Sequence, residues 1–413
     1  MNFLTHTQIQ EIEKKYQTPV YVYSEEKLIE AADNFLAFPS AFWHKVRYAM
    51  KANPNLNILK IFNKKWIKID CSSEYEAFRA LNAWYNPKDL QISGQETPSK
   101  LGELLDLWVS MVATSLNQLE QIWKIWDEIE IWVRINPWMW SGAFKAISTW
   151  GETSAFWIWH EYIPEIKEIA KKYNLKITKI HIHIWSENTP ESWTNSAVIW
   201  LDFVEQFEDV KTLDMWGWFK MAIMPYEKSA DLQAIWKSVA EKFEDFYKKT
   251  WRKIEIEVEP GKYMVINSAS VIARVDDVID TGENWYKFIR TNTWMTEMPR
   301  VPMYWVQEPI YIMNNSTEKQ DYIMIWHCCE SWDLLTCKLY EQETLENRKL
   351  NSANIWDLVI VDWVWAYNSS MSMKNYNSFP ESGEVMIRKN GEIVEIRKRE
   401  KVEEIWRNEI EVV

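Results

Sequence analysis

The segment Tyr48-Ala49-Met50-Lys51-Ala52-Asn53-Pro54-Asn55 places a lysine at the predicted end of an apolar strand. Val46 and Tyr48 precede Lys51 in the alternation typical of a strand, and Pro54 stops the run. An ammonium group is costly to bury, but a desolvated lysine loses its proton more easily and can form an imine with a carbonyl group. The alternative is a lysine that extends its charged end to solvent. The segment alone leaves both interpretations open.

Two histidines, His181 and His183, lie two residues apart on another predicted strand and therefore share one of its faces. Such a pair inside a barrel can bind a metal ion, so a metal-dependent hydrolase is one alternative. The remaining histidines form no second ligand group with carboxylates, and we predict no metal site: they are His6, His44, His160 and His327. We expect His181 to pack in the core and His183, nearer the strand end, to stack on a flat cofactor ring.

A turn and a carboxylate follow two further predicted strands. If Trp216-Gly217-Trp218 is a run of three glycines, it offers backbone N–H groups that can hold a phosphate. Together with Lys51, this turn suggests pyridoxal 5'-phosphate (PLP), whose aldehyde needs the lysine and whose phosphate needs the turn. Glu259, in Glu259-Pro260-Gly261-Lys262, could face the pyridine nitrogen and keep it protonated. The alternative for Glu259 is a capping or ion-pairing role.

A cysteine pair occurs later, in Cys328-Cys329-Glu330-Ser331-Trp332-Asp333. Adjacent cysteines rarely bond each other, so one interpretation is two small buried residues. The other is a reactive thiol next to Glu330.

The elements that must position these groups follow an alternating pattern. Predicted strands span 46–51, 67–71, 89–93, 109–114, 129–136, 177–184, 211–215 and 253–259, with helices such as 74–83, 98–107, 160–173 and 228–249 between them. Eight such alternations are typical of a (β/α)8 TIM barrel, whose active sites lie at the C-terminal ends of the strands. Those ends carry Lys51, Asp70, Ser93, Arg134, His183, the 216–218 turn and Glu259. The strand interiors are predicted to be mostly apolar.

From about residue 265, β-rich runs replace the helical pattern and predict a second domain, an all-β barrel or sandwich. A first strand at 19–24 is followed by a helix from Glu25 for which Ser24 is the expected N-cap. Asn390-Gly391 predicts a hairpin near the end of the chain. We therefore expect a PLP-binding barrel over 25–264 and a β domain over 265–413 that includes residues 1–24.

Composition limits the classes of partner. The 413-residue chain has a net charge of −13 and no basic run, so nucleic acid and anionic membranes are poor partners. No apolar stretch approaches membrane-spanning length, and the N-terminus lacks a signal-peptide pattern. Four cysteines in a chain of this size predict reduced thiols in the cytoplasm.

Tryptophan and glycine are present in abnormal proportions. The chain has 28 Trp and only 9 Gly, whereas average glycine usage of about 7% would give roughly 29. Trp66 and Trp84 lie at predicted helix ends, where glycine commonly supplies a left-handed residue. One hypothesis is that most of these residues are glycines, encoded by UGA codons that some bacterial lineages read as glycine and other variant codes read as tryptophan. The alternative is a protein truly rich in tryptophan.

Motifs along residues 18 to 400 resemble, in order, those of fold type III PLP-dependent decarboxylases, most closely the diaminopimelate decarboxylase branch. They are Tyr48-Ala-Met-Lys51-Ala-Asn, Asp70-Cys-Ser-Ser-Glu-Tyr-Glu76, His183-Ile-Trp-Ser186, Leu213-Asp-Met-Trp-Gly-Trp, Glu259-Pro-Gly-Lys262, Arg300-Val-Pro-Met-Tyr304, Cys329-Glu-Ser-Trp-Asp333, Ala366-Tyr367-Asn-Ser-Ser-Met-Ser-Met and Asn375-Tyr-Asn-Ser. The family has glycine where this chain has Trp185, Trp216, Trp218, Trp332 and Trp365. The resemblance implies a barrel like that of alanine racemase, followed by a β domain.

The resemblance also implies residue roles. Lys51 would form the imine with PLP, His183 would stack on the ring, and Glu259 would face the ring nitrogen. The other cofactor-binding residues would be Asp70, Arg134, Ser186, Trp216, Gly217, Trp218, Gly261 and Tyr367. The substrate-binding residues would be Lys262, Arg300, Tyr304, Glu330 and Tyr367. Cys329 would act as general acid in the site of the partner subunit, which implies a homodimer with shared active sites.

The implied reaction is decarboxylation of meso-2,6-diaminopimelate to L-lysine and CO2, in lysine biosynthesis. Two departures from the family leave the substrate open: Lys262 replaces an arginine, and Asn377-Ser378-Phe379-Pro380-Glu381 replaces Asn-Ser-Arg-Pro-Arg. Lysine keeps the charge but loses the two-pronged grip of arginine on a carboxylate. The alternatives are a related diamino-acid decarboxylase, such as a carboxynorspermidine decarboxylase, a non-catalytic PLP-binding protein, or a pseudoenzyme in which literal tryptophans block the phosphate site.

Overall fold

Strands and helices alternate through the first two thirds of the chain. The computed structural model describes residues 1–125, 130–136, 155–182, 189–217, 219–293, 295–325, 327–330, 334–341, 344–364 and 366–412. The strands are β1 (Val20–Ser24), β2 (His44–Ala49), β3 (Lys68–Cys71), β4 (Leu90–Ile92), β5 (Ser110–Ala113), β6 (Glu130–Asn136), β7 (Ile158–Trp159), β8 (Lys176–His181), β9 (Thr212–Asp214), β10 (Glu255–Val258), β11 (Ala269–Asp280), β12 (Lys287–Thr291), β13 (Ile310–Met313), β14 (Lys319–Ile325), β15 (Arg348–Asn351), β16 (Leu358–Asp362), β17 (Gly383–Ile387) and β18 (Ile393–Arg397). The helices are α1 (His6–Lys15), α2 (Glu25–Leu36), α3 (Leu56–Lys64), α4 (Glu74–Asn82), α5 (Leu101–Asp106), α6 (Leu116–Ile125), α7 (Ile163–Lys172), α8 (Pro190–Glu205), α9 (Leu232–Thr250), α10 (Arg300–Tyr304) and α11 (Val402–Ile405).

These elements form two compact units. The barrel unit comprises Ile29–Met221 and Lys228–Met264. The β unit comprises Met1–Leu28, Ala222–Glu227 and Val265–Val413. Of the helices in the described residues, none combines the length and apolar composition that crossing a bilayer requires.

The barrel unit contains a closed ring of eight parallel strands. The strand order is β5-β4-β3-β2-β10-β9-β8-β6, and pairing of β5 with β6 closes the ring. The short β7 pairs with β6 beside the ring. The predicted (β/α)8 barrel is therefore confirmed, and each predicted strand has a counterpart whose ends differ by a few residues.

Local sequence signals explain where the barrel helices begin. The side chains of Asn55, Ser73, Thr189 and Asp231 accept hydrogen bonds from backbone N–H groups in the first turns of α3, α4, α8 and α9, respectively. Each cap satisfies a donor that has no partner within the helix. The caps therefore define where these four helices begin.

The helices α3, α4 and α5 end in a way that their sequences do not favour. Each is followed by a tryptophan in the left-handed region, with φ of 62° at Trp66, 67° at Trp84 and 70° at Trp108. All three indoles are exposed. The left-handed residue predicted at Trp66 and Trp84 from the helix-end pattern is thus present in the structure.

The β unit is a branched sheet built mainly from the C-terminal part of the chain. Its strands run in the order β15-β14-β12-β11-β1-β17-β18, with β16 pairing both β11 and β13. The first strand, β1, is antiparallel to β11 and parallel to β17. The predicted hairpin around Asn390-Gly391 is formed by β17 and β18. The predicted all-β second domain is therefore confirmed.

Candidate active site

Lys51 lies one turn beyond β2 rather than on it. The predicted strand 46–51 ends at Ala49, and Lys51 occupies the single helical turn Met50–Ala52. The hydroxyl of Tyr48 holds this turn, because it accepts from the N–H of Asn53 at 2.9 Å and donates to the carbonyl of Asn53 at 3.0 Å. The half-buried ammonium of Lys51 makes no hydrogen bond or ion pair with the described residues and lies 5.8 Å from the centre of the Trp216 ring.

Glu259 follows β10 directly and is fully buried. Gln91 Nε2 donates to its Oε1, and His181 Nε2 lies 3.1 Å from its Oε2. Burial, followed by the charges of Asp214 and Asp70, raises the pKa of Glu259 well above its ordinary value. Burial therefore favours the protonated form of the Glu259 carboxyl, whose side chain forms a hydrogen bond with Asp214.

His181 is packed in the core, as predicted, where burial favours the neutral imidazole. It is fully buried, and burial lowers its pKa well below the ordinary histidine value. Among the described residues its Nδ1 has no hydrogen-bond partner. A neutral imidazole can donate through only one ring nitrogen, and the Nε2 contact with Glu259 is consistent with that proton.

Four charged side chains form a buried ladder across the barrel interior. Arg47 Nε donates to Glu257 Oε1 at 2.5 Å, and Lys179 Nζ bonds the same carboxylate. Lys179 Nζ also lies 2.7 Å from Asp214 Oδ2 and donates to Gln91 Oε1 at 2.7 Å. Burial is the largest effect on Asp214 and raises its pKa, but the Lys179 charge and the other neighbours, including the hydrogen bonds to Glu259 and Lys179, together outweigh burial and lower the pKa. The ladder is thus two cations paired with two anions, and it corrects the prediction that strand interiors are mostly apolar.

Asp70 and Arg134 lie on β3 and β6, near the same strand ends. Asp70 Oδ1 accepts from Gln91 Nε2 at 3.0 Å, and burial raises the pKa of the Asp70 carboxyl. Arg134 Nη1 donates to the Ser93 carbonyl at 3.4 Å, and its guanidinium lies 4.0 Å over the Trp157 ring. Burial lowers the pKa of Arg134 to about 10, and its Nε has no hydrogen-bond partner among the described residues.

The turn after β9 is described as far as Gly217. The N–H of Trp216 donates to Asp214 Oδ1 at 3.0 Å, and Trp216 adopts a left-handed φ of 47° with its side chain buried. Gly217 has φ of 155°, and a Cβ there would lie 2.3 Å from the Phe219 ring. Only glycine therefore fits at 217, as the predicted turn requires.

Several predicted residues lie outside the described part of the chain: His183, Ser186 and Trp218, together with Trp185, Trp332 and Trp365. The other predicted barrel residues, Gly261 and Lys262, follow Glu259 after the strand end, and Lys262 is half-buried. Their roles toward a cofactor or substrate stay predictions.

The β unit holds the remaining predicted residues. Arg300 begins α10, is buried, and its Nη1 donates to Glu308 Oε1 at 3.4 Å. Cys329 is exposed, and its N–H donates to Asn377 Oδ1 at 3.3 Å. Asn377 belongs to the run in which the sequence departs from the family pattern.

The other β-unit residues are half-buried. The Tyr376 hydroxyl donates to Glu330 Oε2 at 3.3 Å. Tyr304 ends α10, and Tyr367 has a left-handed φ of 60°. The predicted residues of this unit therefore fall into two groups. One group surrounds Cys329 and Glu330, and the other surrounds Arg300.

Sequence reasoning missed the interior residues Arg47, Gln91, Lys179, Asp214 and Glu257 as site residues. A signal was present, because Lys179 precedes His181 by two positions and Glu257 precedes Glu259 by two. Residues two apart on a strand share a face, so these side chains had to point the same way as the predicted site residues.

A PLP-dependent decarboxylase is the class of protein that this fold and site define. The sequence profile of the family described as "Pyridoxal-dependent decarboxylase, pyridoxal binding domain" matches residues 26–266. The chain belongs to this family, is a PLP-dependent carboxy-lyase, and uses PLP as its cofactor.

Individual proteins and solved structures are also similar to this chain. A diaminopimelate decarboxylase of Buchnera aphidicola subsp. Schizaphis graminum is 30% identical, covering 95% of this chain and 94% of the relative. A crystal structure of a diaminopimelate decarboxylase superposes with a TM-score of 0.89 at 25% identity, covering 98% of this chain and 96% of the other. The Helicobacter pylori enzyme of that name, complexed with L-lysine, gives a TM-score of 0.84 at 25% identity, covering 97% and 98%.

The residues at the barrel strand ends fit the ring end of PLP. Lys51 supplies an amine that no described acid pairs with. Glu259 supplies a fully buried carboxyl whose pKa is raised, and Arg134 supplies a buried N–H without a partner among the described residues. At the turn expected to hold the phosphate, the Phe219 ring fills the space where a Cβ of residue 217 would lie, and residue 216 carries an indole whose ring centre is 5.8 Å from the Lys51 ammonium.

Proposed function

We propose that this enzyme converts meso-2,6-diaminopimelate to L-lysine and CO2, and thereby serves lysine biosynthesis. Support comes from relatives named diaminopimelate decarboxylase that match nearly the whole chain, and from a similar solved structure that contains L-lysine. The observation that carries the proposal is the presence, within one barrel, of a Lys51 amine with no ion partner among the described residues and of a fully buried Glu259 carboxyl whose pKa is raised.

Each of these residues has a distinct task. When bound, PLP supplies an electron-accepting ring that takes up the electron pair left behind by CO2. Lys51 would hold the cofactor through its amine, which forms no ion pair with the described residues. Glu259 would face the ring nitrogen and keep it protonated, and Asp214 would hold the Glu259 carboxyl in place through the hydrogen bond between the two side chains. Asp70 and Arg134 would contact the cofactor from the neighbouring strand ends.

The residues outside the described part and in the β unit complete the proposal. His183 would stack on the ring, and the phosphate would be held by Ser186, the 216–218 turn, Gly261 and Tyr367. Lys262, Arg300, Tyr304, Glu330 and Tyr367 would bind the substrate. Arg300 would recognise the far carboxylate because a guanidinium makes paired hydrogen bonds with it. In the structure that guanidinium already contacts Glu308, so substrate would have to compete for it.

A homodimer with shared active sites is also proposed. Cys329 would protonate the product as general acid in the partner subunit's site. The exposure of Cys329 supports this role, because a thiol that serves another subunit must be accessible on its own. We further propose a cytoplasmic location, supported by the absence of any disulfide bond among the four cysteines in the described part of the chain.

A related diamino-acid decarboxylase is the second candidate. The single observation in its favour is Lys262, where the family has arginine. A point-like ammonium discriminates less between a distal carboxylate and other acceptors than a guanidinium does.

Activity with matched substrates tests both candidates. Purified protein supplied with PLP should release CO2 and L-lysine from meso-diaminopimelate faster than it releases CO2 from carboxynorspermidine. Lys51→Ala should lower the rate by at least about 100-fold. Lys45→Ala is the matched control, because Lys45 lies on β2, the strand that leads into the Lys51 turn, but pairs with Glu255 at 2.6 Å. Faster turnover of carboxynorspermidine would favour the second candidate, and an active Lys51→Ala enzyme would exclude the proposed role of Lys51.

A further inference from the structure

Three consecutive helices end in the same hydrogen-bonded motif with tryptophan at its left-handed position. After α3, the N–H of Trp66 donates to the Asn63 carbonyl at 3.0 Å and the next N–H, of Ile67, donates to Phe62 at 3.1 Å. These two bonds define a Schellman motif with Trp66 at C′. The same pair of bonds follows α4, with Trp84 at C′, and α5, with Trp108 at C′.

Glycine is the residue that this position favours. A left-handed conformation brings the Cβ of an L-residue against the following carbonyl, and glycine has no Cβ. After α7 the same position is occupied by Asn174, with φ of 51°, which is the usual substitute for glycine. Burial offers no compensation for the tryptophans, because their exposed fractions are 87% at Trp66, 77% at Trp84 and 58% at Trp108.

Further tryptophans occupy other left-handed sites. Trp251 follows α9 with φ of 58°, and Trp305 follows α10 with φ of 52°. Trp356 has φ of 79° in the third position of a four-residue turn closed by the Asp357 N–H to the Asn354 carbonyl at 3.1 Å. That φ matches the third residue of a type II turn, which calls for glycine. Of the fourteen non-glycine residues with positive φ in the described residues, eight are tryptophan.

Other tryptophans are where a large apolar side chain belongs. Trp193 and Trp200 in α8 and Trp236 in α9 are helical and buried, and Trp193 stacks on Phe219 with ring centroids 4.8 Å apart. The conformational conflict is therefore confined to left-handed positions rather than spread over all tryptophans. A general tolerance of this protein for tryptophan does not explain that distribution.

We infer that the protein made in its own cell carries glycine at the left-handed positions 66, 84, 108, 216, 251, 305, 356 and 363, because the gene has UGA codons there that the cell reads as glycine. The low total of 9 Gly is the expected result when such codons are translated as tryptophan. The inference concerns residue identity and does not depend on the substrate proposed above.

The inference changes the cofactor site at one position. Residue 216 adjoins Gly217 in the turn after β9, and its indole is buried near the Lys51 ammonium. Glycine at 216 would remove the ring and relieve the left-handed φ of 47° at that residue. The turn would then present two adjacent glycines, which leaves space for a phosphate beside the backbone.

The gene and the native protein decide the residue identity. Sequencing of the codons should find UGA at these eight positions, and peptide mass spectrometry of protein purified from its own cells should find the mass of glycine. UGG codons, or peptides that retain the mass of tryptophan at these positions, would overturn the inference.

Recombinant protein tests the conformational argument separately. Trp66→Gly, Trp84→Gly and Trp108→Gly should each raise the melting temperature by about 2–4 °C, because each relieves one left-handed residue. Trp285→Gly is the matched control, because Trp285 is 75% exposed but does not have a positive φ. The control should leave the melting temperature unchanged or lower it. A fall in melting temperature at the three helix ends would refute the argument from backbone conformation.

Discussion

Charge inside the barrel is balanced residue by residue around Glu259. Asp214 shares a hydrogen bond with Glu259 and forms an ion pair with Lys179, and Glu257 with Arg47 completes the ladder. An isolated buried charge costs several kcal/mol, so each member depends on its neighbour. Lys179 therefore acts on Glu259 through Asp214, and replacement of Lys179 should affect both of these carboxyl groups.

Replacement of Lys179 tests the ladder. Lys179→Met should lower the free energy of unfolding by about 3–5 kcal/mol, because it leaves the buried carboxylates Asp214 and Glu257 without their shared ammonium. The control is Lys211→Met, which breaks the exposed pair with Glu130 at 3.1 Å and should cost at most about 1 kcal/mol. Denaturant unfolding measures both. Equal effects of the two substitutions would contradict a dependence of Asp214 on Lys179.

Glu259→Gln tests the raised pKa of Glu259 through the pH dependence of the free energy of unfolding. A carboxyl whose folded pKa is raised binds its proton more tightly folded than unfolded, so it lowers stability as pH rises above the unfolded pKa. Glutamine resembles the protonated carboxyl but does not ionise, so the variant does not lose stability in this way as the pH rises. The variant and the parent should be equally stable near pH 4. Above that pH, the free energy of unfolding of the variant should exceed that of the parent by up to about 1.4 kcal/mol for each pH unit.

The measurement for Glu259→Gln is unfolding of the cofactor-free protein between about pH 4 and pH 8. Glu392→Gln, at the exposed tip of the β17–β18 hairpin, controls for loss of one carboxylate at the surface. Parallel stability curves for Glu259→Gln and the parent would mean that Glu259 is ionised in the folded protein.

At the scale of elements, backbone conformation at the ends of helices and strands determines which residues are tolerated. The β17–β18 hairpin turns through Gly391, whose φ is 87°. Gly102 lies inside α5, where an added Cβ would make an ordinary contact with Ile125 at 3.7 Å. The same substitution should therefore have opposite effects at the two sites.

Alanine at the two glycines tests this contrast. Gly391→Ala should lower the free energy of unfolding by about 1 kcal/mol, because alanine is strained at positive φ. Gly102→Ala should raise it by about 0.5–1 kcal/mol, because alanine restricts the unfolded chain and favours helix. Shifts of the unfolding midpoint in the same direction would contradict the argument.

At the scale of the whole molecule, the barrel unit and the β unit carry different parts of the proposed chemistry. Lys51 belongs to the first and Cys329 to the second. The proposed dimer joins them across two subunits, so neither residue alone makes a complete site. This arrangement predicts complementation between inactive variants.

Mixed variants test the shared site. Lys51→Ala and Cys329→Ala should each be inactive alone, and a mixture should regain up to about a quarter of the parent activity. In a random mixture half the dimers are hybrids, and each hybrid has one intact site of two. The control mixes Lys51→Ala with the double variant Lys51→Ala/Cys329→Ala, which can form no intact site. Absence of recovery after demonstrated subunit exchange would rule out sharing.

The sequence by itself determined the architecture and the strand-end residues. Alternating strand and helix patterns located all eight barrel strands because hydrophobic periodicity and capping are local properties of the chain. The same patterns placed Lys51, Asp70, Arg134 and Glu259 near one end of the barrel, since parallel strands align their C-terminal ends. Left-handed sites at Trp66 and Trp84 were also predictable, because helix ends carry a local signal.

Only the tertiary structure decided the charges and contacts within the barrel. Gln91 joins Asp70 to Glu259, and Lys179 joins Asp214 to Glu257, across strands that are distant in the sequence. The protonation of Glu259 depends on burial and on Asp214 and Asp70, which closure of the ring brings beside it. No local pattern encodes those distances, and a pKa in a low-dielectric interior is set by the nearest charges whatever their position along the chain.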